Sequence, residues 1–125
     1  MAFLRLTLLK PRPAADAEIR RLLEELDAAV SESPGLILSF IAAREQRLGR
    51  VSLWESKQDA NREALNERTL SLRSRLHYLS LEAEESMLEV ASGHLPEGLR
   101  DFFAGRKRPV AFTPLEEQQA MLPSA

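Results

Sequence analysis

The sequence predicts an α+β fold with element order β-α-β-β-α-β. Three observations lead there: an amphipathic helix lies between two apolar strands, a short glycine-containing loop follows the second strand, and a serine-capped helix start follows the third. The 125 residues, 44% hydrophobic and 29% charged, suit one soluble globular domain with its own core. The order is that of a ferredoxin-like unit, a four-stranded antiparallel sheet with both helices on one face.

The first strand is read over residues 3–10. Leu4, Leu6 and Leu8 share one face, with Phe3, Arg5, Thr7 and Leu9 on the other. Pro11 and Pro13 end it. Residues 14–33 form the clearest helix, where Ile19, Leu22, Leu23, Leu26 and Val30 make one apolar stripe. Arg20 with Glu24, and Arg21 with Glu25, stand four apart on the wet side. Pro34-Gly35 stops this helix.

The second strand, residues 36–45, is rich in branched and aromatic residues. Residues 46–49 are read as a hairpin loop, with Gly49 supplying the positive φ that such loops need. The third strand covers residues 50–55. Ser56 with Asp59 three residues on is an N-cap signature. Residues 57–79 read as helix, with Ala60, Ala64, Leu65, Leu72, Leu76 and Leu79 buried and a break expected within 66–69. A fourth strand is expected over residues 84–91. Residues 1–95 form the expected domain. Residues 96–125 form a C-terminal extension, with helical turns near Leu99 to Phe103, a basic linker at Arg106-Lys107-Arg108 and a last helix over 115–121.

Two helices cover one face of a four-stranded sheet, yet the first two strands carry apolar side chains on both. The second face therefore calls for a partner, and a homodimer packed sheet to sheet is expected. A monomer whose C-terminal extension covers that face is the alternative.

The stretches M-A-F-L-R-L-T-L, S-P-G-L and G-R-V-S-L-W-E-S-K-Q-D-A resemble the dimeric α+β barrel superfamily, and more narrowly its antibiotic-biosynthesis-monooxygenase-like domains. Pro34-Gly35-Leu36 and Trp54-Glu55-Ser56 carry the resemblance, over roughly residues 2–92. It implies a pocket between sheet and helices. It also implies either a cofactor-free monooxygenase-like enzyme acting on an aromatic or other small organic metabolite, or a non-catalytic ligand-binding or stress-related module. Haem-degrading relatives carry an Asn on the first strand and a Trp and a His on the second helix. Here Thr7 lies near the first position, and the second helix has His77 but no Trp.

Composition excludes several chemistries. With no cysteine there is no disulfide, thiol catalysis or zinc–thiolate site. A net charge of -2 weighs against nucleic-acid binding. His77 and His94 lack metal-ligand spacing, so no metal is expected, and no cofactor is expected either. No apolar run is long enough to cross a bilayer and no targeting segment is visible, which fits the cytoplasm.

The candidate catalytic residue is His77, because imidazole titrates near neutral pH. The alternative is a solvated helix histidine. Candidate substrate-binding residues are Thr7, Arg5, Trp54 and Tyr78. Trp54 stacks on a flat ligand or fills the core. Tyr78 is equally open. Arg5 needs a carboxylate, Glu89 or Glu55, or binds an anionic ligand.

Overall fold

The computed structural model describes residues 1–94, and the C-terminal extension read above lies outside them. The elements are β1 (Phe3–Pro11), α1 (Asp16–Val30), β2 (Leu36–Arg44), β3 (Arg47–Trp54), α2 (Lys57–Ala64), α3 (Glu67–Tyr78) and β4 (Ser80–Glu89). The four strands form one antiparallel sheet in the order β2-β3-β1-β4, the ferredoxin-like arrangement.

Alternation along the strands sorts the sheet into two faces. On β1 the buried residues are Phe3, Arg5, Leu9 and Pro11; on β3 they include Leu48, Arg50, Ser52 and Trp54. These meet in register, Phe3 opposite Trp54, Arg5 opposite Ser52, Thr7 opposite Arg50 and Leu9 opposite Leu48. They face the helices. Leu4, Leu6, Leu8, Val51, Leu53 and Phe40 point the other way, where the described residues offer no covering layer.

The stripe read on α1 is the core. Ile19, Leu22, Leu23, Leu26 and Val30 are all buried, packed with Leu9, Leu48 and Leu76. On the wet side Arg21 pairs with Glu25 at 3.5 Å. Helix α1 begins two residues later than read, because Ala14 sits at φ 66 and cannot be helical.

The β2–β3 connection differs from the sequence reading. Arg44 pairs directly with Arg47, so the loop is Glu45-Gln46 alone. Gln46 supplies the positive φ, at 59°. Gly49 sits inside β3 between Leu8 and Ala42, where a Cβ would crowd the Leu8 side chain and the Thr7 carbonyl.

The 57–79 stretch is two helices. Ser56 Oγ accepts from the Asp59 amide at 3.1 Å and donates to its carboxylate at 2.8 Å, capping α2. Asn66 Oδ1 accepts from the Arg68 amide at 3.0 Å and restarts the helix as α3. The break turns Leu65 outward to 80% exposure, so it leaves the stripe in which it was expected. Strand β4 starts at Ser80, four residues before the expected Glu84, and pairs with β1 almost throughout. Its sequence, S-L-E-A-E-E-S-M-L-E, is polar because it is an edge strand exposed after its first residue. Among the described residues no helix is long and apolar enough to cross a membrane.

Candidate functional site

Between the sheet and the α1–α3 pair lies a cleft lined by Thr7, Leu9, Leu23, Leu26, Arg50, Arg73, Leu76, His77 and Glu85. Its volume is about 20 Å³. Leucines fill most of the inner end, and the walled-off part holds about one water.

The floor follows from strand register. Thr7 pairs with Arg50 on one side and Glu85 on the other, so these three form one row across β3, β1 and β4. The next row is Ser52, Arg5 and Met87. The walls come from helical spacing. Leu23 and Leu26 descend from α1; Arg73, Leu76 and His77 descend from α3, three and four residues apart on one face.

The electrostatics of this floor are cationic. Arg50 is 2% exposed and its Nε donates to Asp27 Oδ1 at 3.2 Å. Burial pushes the Arg50 guanidinium below its ordinary range, and Asp27 opposes that shift. Arg5, 4% exposed, holds Glu85 at 3.5 Å and donates to Met87 Sδ at 3.7 Å. Arg73 is lowered to about 10, first by burial and then by repulsion from Arg5 and Arg50. Among the described residues no carboxylate stands within ion-pair distance of Arg73. Arg5 Nε and Nη1, Arg50 Nη2 and Arg73 Nε are buried without a hydrogen-bond acceptor. The buried carboxylate Glu63 accepts from Ser33 Oγ at 2.8 Å and tethers α2 to the end of α1.

Of the residues singled out from sequence, Thr7 and His77 line the cleft. His77 is exposed at the mouth. Arg5 lies one row from Thr7 on the same face. The carboxylate meeting it is Glu85 rather than Glu89, which stands opposite Phe3. Trp54 is elsewhere: fully buried with Phe3 and Ala60, its Nε1–H donating to Ser52 Oγ at 3.0 Å. Tyr78 is 77% exposed and is not among the lining residues. His94 is exposed beyond β4. Among the described residues no group of three or more His, Asp or Glu is placed to hold a metal.

Arg50, Arg73, Asp27 and Glu85 were not singled out from sequence. Two signals point to the first pair: Arg50 shares its face of β3 with Leu48, Ser52 and Trp54, and Arg73 stands three residues before the buried Leu76.

No protein-family model and no curated protein sequence matches the chain. Solved structures do. Rv0793 from Mycobacterium tuberculosis superposes with a TM-score of 0.70 at 14% identity, covering 74% of this chain and 98% of that one. SnoaB from Streptomyces nogalater, a cofactor-independent oxygenase, gives 0.65 at 17% identity over 77% and 98% of the two chains. A Caulobacter crescentus protein, provisionally named an antibiotic biosynthesis monooxygenase, gives 0.65 at 16% identity over 73% and 91%. With TM-scores of 0.65 to 0.70 and coverage of 91 to 98% of these neighbours, the chain shares their fold, here a four-stranded antiparallel sheet in the order β2-β3-β1-β4.

Proposed function

We propose that this chain is one subunit of a dimeric barrel that binds a small organic molecule between sheet and helices. We further propose that it acts as a cofactor-free monooxygenase-like enzyme on an aromatic or similar metabolite. The observation that carries the reading is the cleft: Thr7 and Arg50 lie on its floor, Arg73 and the exposed His77 on its α3 wall, and leucines make up much of the remaining lining. Histidine is a base near neutral pH. An aromatic substrate that loses a proton becomes electron-rich enough to react with dioxygen itself, and nearby guanidinium groups stabilise the anion. Thr7 offers a hydroxyl to orient the ligand. The similar fold of SnoaB, named as a cofactor-independent oxygenase, favours this chemistry.

Dimerisation belongs to the same reading. On β1, β2 and β3 the sheet face carrying Leu4, Leu6, Leu8, Phe40, Val51 and Leu53 is apolar, and a second copy would cover it, with the polar β4 residues Glu82, Glu84 and Ser86 at its edge.

One observation favours a second reading, a non-catalytic ligand-binding module. Leu9, Leu23, Leu26 and Leu76 occupy much of the space a polycyclic substrate needs. Oxygen consumption with a panel of hydroxylated aromatics separates the two. The enzyme reading expects turnover that His77→Ala abolishes while circular dichroism stays unchanged. Ligand binding without turnover by any panel member selects the module.

A further inference from the structure

We infer that the cleft is a carboxylate site. Its ligand is an organic acid whose carboxylate meets the unengaged guanidinium edges of Arg73 and Arg50, while its apolar body lies along Leu23, Leu26 and Leu76. The inference rests on the small-molecule-binding reading and names the ligand class.

Three arginines approach one another on the helix side of this sheet, and their buried donors outnumber the acceptors that reach them. Arg50 spends its Nε on Asp27, which leaves Nη2 buried and unmatched. Arg73 has its Nε buried and unmatched, and both side chains line the cleft. Arg5, one row along the floor, leaves Nε and Nη1 without acceptors. Buried donors in proteins are almost always paired, so an arrangement of unmatched ones points to an acceptor supplied from outside. Guanidinium forks match a planar carboxylate with two parallel hydrogen bonds.

The protein's own carboxylates do not fill this role. Asp27 is engaged with Arg50. Glu63 accepts from Ser33 through Oε2 and acts on Arg50 and Arg73 through its charge, but its Oε1 is buried without a hydrogen-bond partner and it is not among the lining residues. Glu85 stands on the exposed edge strand, 38% exposed, and reaches Arg5 only at 3.5 Å. It is the internal competitor for the site. The surroundings also select the kind of anion. A phosphate would press a doubly charged, strongly hydrated group against leucine walls. A carboxylate on a hydrocarbon body places its single charge at the arginines and its carbon against the leucines.

The test is titration of the full-length protein with benzoate, benzamide and inorganic phosphate up to about 10 mM, followed by calorimetry or amide chemical shifts. Benzoate should bind, with benzamide and phosphate each weaker by about tenfold or more. Arg73→Met, which keeps the side-chain stem, should weaken benzoate by about tenfold and leave benzamide unchanged. Glu85→Gln should tighten benzoate severalfold. Circular dichroism and melting of each variant establish that it is folded. Equal affinity for benzoate and benzamide, phosphate binding as tight as benzoate, unaltered benzoate affinity in folded Arg73→Met, or no binding of any probe overturns the inference. Absence of oxygenase turnover does not bear on it, and loss of carboxylate binding leaves the barrel's other ligands open.

Discussion

Arg50 Nε stands 3.2 Å from Asp27 Oδ1, and this pair locks the middle of β3 to the inner face of α1. Both partners are nearly out of solvent, Arg50 at 2% and Asp27 at 13% exposure. A buried pair of this kind contributes little net stability while intact, because desolvation offsets attraction, but losing one member strands the other. Asp27→Ala should destabilise the protein by about 3 kcal/mol in a denaturant titration. Adding Arg50→Met should recover most of that loss. A single variant as stable as the parent would show that water already reaches Arg50.

Arg73 should behave in the opposite way. It is charged and half-buried, no carboxylate among the described residues stands within ion-pair distance of it, and its pKa is lowered to about 10. A basic group with a depressed folded pKa destabilises the fold while it is protonated in both states. That penalty is present below about pH 10 and is relieved as pH rises above it, where only the unfolded chain keeps the proton. Without ligand, Arg73→Met should therefore be more stable than the parent by about 1 kcal/mol at pH 7. The difference should narrow when melts are repeated above pH 10. A gap that widens there would contradict this account.

Gly35 has a φ of 84°, and a Cβ built on it overlaps the carboxyl of Asp59. Its carbonyl also accepts the Glu55 amide at 2.7 Å, which fixes the approach of β2 to the end of β3. Gly35→Ala therefore meets both backbone strain and a collision with Asp59, the partner of the Ser56 cap of α2. The expected cost is about 2–3 kcal/mol. Asp59→Ala in the same background should return only part of it, since the backbone strain and the contact with the residue-59 Cβ both remain; full recovery would mean that the collision with the carboxyl alone mattered.

The uncovered sheet face makes a prediction about assembly. Leu6 lies on it, opposite Val51 on one side and Ser86 on the other. Sedimentation of the parent protein at micromolar concentration should give a dimer, and Leu6→Arg should give a folded monomer. A parent protein that sediments as a monomer would remove the proposed sheet-to-sheet pairing.

Local chemistry was sufficient for much of this protein. The α1 stripe, the Ser56–Asp59 cap, the weak point near Asn66 and the element order all follow from side-chain period and capping, which act over a few residues. Where the reading failed, a longer-range partner decided. Gly49 looked like a turn residue but lies in a strand because Leu8 and Ala42 flank it, and Gln46 took the turn instead. Strand β4 begins four residues early because β1 offers it a ladder that its polar sequence does not advertise.

The same division holds for the site. Sequence alone determined which faces are apolar, and it put forward His77 and Thr7 as candidate site residues. Only the tertiary structure brought them to one cleft, sent Trp54 into a separate core and Tyr78 to solvent, and gathered Arg5, Arg50 and Arg73 from two strands and a helix. The physical reason is range. Hydrophobic period and capping are set by near neighbours in the chain, whereas the charge and shape of a cleft depend on residues tens of positions apart that meet only when the sheet register and helix packing are complete.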